Sequence, residues 1–155
     1  MENREIVQTV LQEFGKIIDL ETLGLNDEGS CRLMFDQDIE VNIEVDDSTN
    51  SLLLISPVVP ADKKLYEDVL ELNLFWSQMK GCRFALLRSA GVLAMMRRLS
   101  VEGLNIITFE KVLEEFVDTV STWKAAFARA PQHNAQKKTP APSEGWNAHH
   151  LSGRA

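Results

Sequence analysis

The chain is poor in the residues that chemistry uses. Its three histidines are His133, His149 and His150, so the first 132 residues hold none. A catalytic base or metal ligand works only when rigid neighbours hold it, and no histidine is on offer there. The two cysteines, Cys31 and Cys82, lack metal-type spacing and are too few for a disulfide framework. They are expected as reduced thiols, as in a cytosolic protein. A glycine-rich phosphate loop, a Cys-x-x-Cys pair and interleaved basic and aromatic residues are all missing. Leu87-Arg88-Ser89-Ala90-Gly91 lacks the first glycine of a nucleophile elbow and reads as a hairpin turn. Asp36, Asp38, Glu40 and Glu44 fail as a calcium loop: counted from Asp36, the sixth residue is Val41 rather than glycine and the twelfth is Asp47 rather than glutamate. They read as the solvent face of a strand. No catalytic, metal-binding or cofactor-binding residue is therefore expected.

Long hydrophobic runs are also lacking. None approaches the roughly 20 residues that span a bilayer. Met1-Glu2-Asn3-Arg4-Glu5 is charged, and the residues after it are periodic rather than a continuous apolar block, unlike a signal peptide. A cytoplasmic chain with no membrane partner is expected. Positive charge is scarce: 16 Lys and Arg face 23 Asp and Glu, a net of −7 and a pI near 5.0. A nucleic-acid partner demands the reverse balance. The deficit is uneven. Residues 129–155 contribute +3, from Arg129, Lys137, Lys138 and Arg154 against Glu144, which leaves −10 on the first 128. Such a body favours solubility and a basic partner segment.

Apolar residues, at 45%, are plentiful and patterned. Ile6, Val7, Val10, Leu11, Phe14, Ile17 and Ile18 recur at helical spacing over 3–19. Cys31, Leu33 and Phe35 alternate with Arg32, Met34 and Asp36. Ile39, Val41, Ile43 and Val45 alternate with Glu40, Asn42 and Glu44. Leu52-Leu53-Leu54-Ile55 is a continuous run, read as a strand covered on both faces and ended by Pro57 and Pro60. A second helix is predicted over 62–79, capped by Asp62 and apolar on more than one side. Arg83–Arg88 and Val92–Leu99 form a hairpin through Ser89-Ala90-Gly91. The last helix is predicted over 106–128, with a stripe of Phe109, Val112, Leu113, Phe116, Val120, Trp123 and Phe127. Glu110, Glu114, Glu115 and Asp118 fall outside that stripe.

The order α-β-β-β-α-β-β-α with hairpin-length links predicts an α+β fold, a twisted antiparallel sheet with helices packed on it. One domain is expected over 1–128. The rest, 129–155, is too polar to offset its conformational entropy and is expected to be a disordered tail. The apolar faces exceed what a body this small conceals, which suggests that some meet another chain.

Several segments together carry a family resemblance. Leu23-Gly24-Leu25 leads from the first helix into Asp27-Glu28-Gly29-Ser30-Cys31-Arg32-Leu33. Leu70-Glu71-Leu72-Asn73-Leu74-Phe75 comes next, then the strand pair Phe84-Ala85-Leu86 and Val92-Leu93-Ala94-Met95. A closing helix carries Phe116-Val117 and Val120 to Trp123. Over about 3–128 this resembles the class I type III secretion chaperones, the Tir chaperone (CesT-like) family. The resemblance implies a homodimer that binds the N-terminal segment of a secreted effector, held largely extended, with no ATP and no enzymatic step. It places the client grooves on the first helix and the sheet, here Val7, Leu11, Phe14, Phe35, Val41 and Ile43. It places the dimer contact on the second helix and a neighbouring strand, here Leu65, Val69, Leu72 and Phe84. The competing expectation is a non-catalytic regulatory adaptor of similar build that binds a folded partner protein.

Overall fold

The computed structural model describes residues 2–137, the side chains of Trp76 and of 130–137 excepted. Its first helix, α1, is Glu2–Ile17, with Glu2 and Glu5 in the opening turn and Lys16 in the closing one, as the helix dipole favours. Five strands come after it in the expected places: β1 (Ser30–Phe35), β2 (Ile39–Asp46), β3 (Ser51–Pro60), β4 (Arg83–Leu87) and β5 (Val92–Ser100). They form one antiparallel sheet in the order β1-β2-β3-β5-β4. Between β3 and β4 lie α2 (Lys63–Leu72) and the short α3 (Trp76–Met79); α4 (Ile106–Lys137) closes the described chain.

The register sorts the side chains onto two faces. Leu33 opposes Val41, Ile43 opposes Leu54, Leu52 opposes Leu99 and Phe84 opposes Met95. All eight are buried on one face. The helices lie there. Phe14 of α1 meets Phe109 of α4 edge to face, with centroids 5.5 Å apart. Arg97 reaches from the same face to Glu115 of α4 at 3.0 Å, and Phe84 meets Trp123 edge to face at 5.8 Å. Phe109, Leu113, Phe116 and Val120 of α4 and Val7, Val10 and Leu11 of α1 complete the core. On the opposite face, Met34 is exposed and Leu53, Ile55 and Met96 are half-buried. The run Leu52–Ile55, expected to be covered on both sides, is covered on one within this chain.

Three boundaries differ from the sequence reading. β3 does not stop at Pro57. Its residues 51–55 pair with β2, but 56–60 pair with β5 alone, so Pro57 sits where one edge has no partner strand to receive an N–H. A register shift between Pro57 and Val59 accommodates the kink. The helix expected over 62–79 breaks after Leu72. Asn73 turns its side chain to β4: its Nδ2 donates to the Phe84 carbonyl at 3.1 Å, and its Oδ1 accepts from the Phe84 N–H at 2.7 Å. Asn73 thus acts as a one-residue strand partner at the β4 edge, which a continuing helix would disrupt. Finally, α4 runs past 128 to Lys137. Ala125, Ala126, Ala128 and Ala130 propagate a helix at little cost. The packing divides the chain at this helix, into Met1–Lys124 and Ala125–Ala155. From 138 on, the expected tail lies outside the described residues.

Cys31 and Cys82 are both free and buried. They sit on or beside opposite edge strands, about 19 Å apart by the usual strand spacing, beyond disulfide reach. Burial pushes the Cys82 thiol up to about 11, against a smaller opposing pull from Arg97, and raises Cys31 as well. Among the described residues no helix is long and apolar enough to cross a membrane, and no cluster of acidic, cysteine or histidine side chains is placed to hold a metal.

This packing has two measurable consequences. Asn73→Ala removes both hydrogen bonds to the Phe84 backbone and is expected to cost about 2 kcal/mol in urea unfolding. At pH 8 both thiols should resist iodoacetamide until the chain is unfolded, when both react. Because folding raises the Cys82 pKa, its neutral-thiol contribution to stability is complete below about pH 9 and is lost as pH rises towards 11. A Cys82→Ala variant should show a flatter alkaline limb in the same melts.

Candidate binding surfaces

An open cavity of about 350 Å³ lies where α1, the β1–β2 hairpin and α4 converge. Phe14 and Leu113, both buried, form its floor with the half-buried Phe35 and Val117. Phe35 ends β1, and the next two residues, Asp36 and Gln37, have φ of 52° and 61°. That left-handed pair reverses the chain and leaves Phe35 beside α4. Lys124 ties the hairpin to the helix: its Nζ donates to the Asp38 carbonyl at 2.8 Å and to the Asp38 carboxylate at 3.2 Å. The remaining wall is acidic. Glu110, Glu114 and Asp118 stand four residues apart on α4, exposed, at the cavity mouth. None of these three carboxylates has a hydrogen-bond or ion-pair partner among the described residues.

A second apolar surface lies on α2 and β4. Val69 faces inward, Leu65 and Leu72 are half-buried, and Leu70 is 69% exposed. On β4, Phe84 is buried and Leu86 is 37% exposed. Asp62 caps α2 by accepting from the Lys64 amide at 3.0 Å, and Asn73 anchors its far end, so Leu70 is held on a helix fixed at both ends.

Residues 9–124, about three quarters of the chain, match the model of the Tir chaperone protein (CesT) family. The chain belongs to that family. Solved structures share its fold. One is the ExsC–ExsE complex, with a TM-score of 0.72 and 23% identity over 79% of this chain and 93% of that one. Another is the HopA1–SchA chaperone–effector complex, with a TM-score of 0.70 and 18% identity over 81% and 98%. A third is the Yersinia pestis type III secretion chaperone SycH with a stable fragment of YscM2, with a TM-score of 0.59 and 22% identity over 76% and 98%. No curated protein matches the sequence.

Within this CesT-family chain the residues expected at client grooves separate. Val7, Leu11, Phe14, Val41 and Ile43 are all buried, at 5% exposure or less, while Phe35 is half-buried. Phe14 and Phe35 come together at the cavity; Val41 and Ile43 lie under the helices on the sheet. Of the expected dimer residues, Val69 and Phe84 are buried and Leu65 and Leu72 reach the surface in part. Periodicity finds an apolar stripe but not which members of it end at a cavity mouth. Leu70 and Leu86, present in the segments that carry the resemblance, were not among the expected dimer residues, and Glu110, Glu114 and Asp118 were expected only to fall outside the apolar stripe. The repeat of carboxylates at four-residue intervals was visible in the sequence; that it borders an apolar opening was not.

The burial contrast is testable. Phe116→Ala, at a fully buried site, should cost about 3–5 kcal/mol in thermal or urea unfolding. Phe35→Ala, at a half-buried site on the cavity floor, should cost only about 1 kcal/mol.

Proposed function

We propose that this chaperone binds the N-terminal segment of a secreted effector in the cytoplasm, as a homodimer, and keeps it soluble and secretion-competent without catalysing a reaction. Membership of the Tir chaperone family over residues 9–124 carries the reading. Several features support it. Residues 1–132 contain no histidine, the described residues hold no metal-binding cluster, and both cysteines are buried with raised pKa values. HopA1–SchA is a complex of a chaperone with an effector, and SycH was solved with a fragment of another protein. β1 is an edge strand whose outer side, beyond Ser30 where Asn26 already bonds, can receive an extended segment by main-chain hydrogen bonding.

The homodimer rests on the surfaces this chain leaves uncovered. Leu53, Ile55 and Met96 are half-buried on one sheet face, and Leu70 and Leu86 stand out on α2 and β4. Apolar surface of that kind gains when a second subunit removes it from water. We place the binding body in residues 1–128, with 129–155 outside it.

A chain tagged at its C-terminus and recovered from its native bacterium should bring down one large secreted protein in stoichiometric amount, held through its N-terminal segment. Recovery of housekeeping or regulatory proteins alone would replace this reading with that of an adaptor. Light scattering should give twice the 17.5 kDa chain mass. Leu70→Glu should reduce that to the single-chain mass with unchanged circular dichroism; an intact dimer would place the interface elsewhere.

A further inference from the structure

The cavity between α1, the β1–β2 hairpin and α4 has a charge as well as a shape. Its floor is apolar, from Phe14, Phe35, Leu113 and Val117. Its α4 wall carries Glu110, Glu114 and Asp118. Like charges four residues apart on a helix repel and weaken it slightly. Some carboxylates elsewhere in the fold are offset: Glu115, also on α4, is paired with Arg97, Glu40 with Arg32, and Asp38 with Lys124. The three rim carboxylates are not offset by any described residue. The cations nearest in sequence do not serve them. Lys111 is three residues before Glu114, about 60° around the helix, but makes no ion pair with it, and Lys124 is engaged at Asp38.

The spacing of the rim adds a length to the charge. Glu110 and Asp118 are eight residues apart, about 12 Å along a helix rising 1.5 Å per residue. In an extended chain, side chains on one face recur every second residue, and four residues span about 13 Å. An extended segment lying along α4 can therefore seat one side chain in the cavity and set those two residues before and after it against the two ends of the rim.

We propose that this cavity is a client subsite selective for an extended segment with the pattern basic-x-apolar-x-basic: the apolar side chain enters between Phe14 and Phe35, and the flanking Lys or Arg side chains pair with Glu110, Glu114 and Asp118. This rests on the chaperone reading and specifies what its client presents. It also makes α4 a recognition element as well as a core element. The apolar anchor supplies binding by leaving water. The rim supplies selection, since an acidic flank would be repelled where a basic one is attracted.

The test uses the full-length isotope-labelled protein and two synthetic peptides, Ser-Gly-Lys-Ser-Leu-Ser-Lys-Gly-Ser and the same peptide with both lysines replaced by glutamate. The lysine peptide is expected to shift the amide resonances of Phe35, Glu114 and Asp118. It should bind about ten-fold more tightly than the glutamate peptide, as two modest exposed ion pairs in place of two like-charge contacts allow. Raising salt from about 0.05 M to about 0.5 M should erase most of that difference. E110Q/E114Q/D118N should remove the preference while keeping the melting temperature at or above that of the parent. Equal binding of the two peptides, shifts confined to another surface, or no binding at millimolar peptide would each overturn the proposal. The native client separates this from the broader reading. If the parent captures a secreted protein and the triple variant holds it equally tightly, the subsite is wrong and the chaperone stands. If the parent captures none, the chaperone reading fails, and the peptide pair still decides the charge preference.

Discussion

Phe109, Leu113 and Phe116 hold α4 against the same sheet face on which Leu11 and Phe14 hold α1, and Phe14 meets Phe109 edge to face between the two helices. That shared burial is the constraint on which the rest of the fold depends. The two helices use one side of the sheet, and on the other side Leu53, Ile55 and Met96 stay only half-buried. Both helices approach the β1–β2 hairpin, so a gap remains where the three diverge. The candidate cavity is thus a by-product of how the core is made, lined by outer members of the same apolar stripes.

Polar contacts fix the parts that hydrophobic burial would leave free to slide. Lys124 clasps the hairpin tip, Arg97 reaches from the sheet to Glu115, and Asn73 completes the hydrogen bonding of Phe84 at the β4 edge. Asn73 has the widest consequence. It ends α2, directs the chain into β4 and occupies an edge position that would otherwise offer its backbone to another strand. At the opposite edge, β1, Asn26 does the same for the first residue: its Oδ1 accepts from the Ser30 N–H at 3.0 Å and its own N–H donates to the Ser30 carbonyl at 2.8 Å.

Much of this was legible in the residues. Alternation in Ile39–Val45 placed β2 and told its two faces apart, and three-and-four spacing placed α1 and the first part of α4. Resemblance in Leu70 to Phe75 and in the segments around it pointed to the CesT family, which the match over 9–124 then showed. The misleading residues were those whose local meaning depends on distant partners. Pro57 ends a strand only if both neighbours need its N–H, and here one neighbour has already stopped. Asn73 looks like one more helical residue until β4 arrives beside it.

Short-range periodicity in the sequence by itself determined which segments are helices and strands, how their apolar faces run, and that the body is acidic and bare of histidine. These are properties of neighbours along the chain, and spacing of two or three-to-four residues encodes them directly. Only the tertiary structure decided which members of an apolar stripe sink to the core and which end at an opening. It also set three solvated carboxylates beside a hydrophobic cavity. Both depend on packing between α1, β1 and α4, elements up to a hundred residues apart, and no local pattern records where distant faces meet.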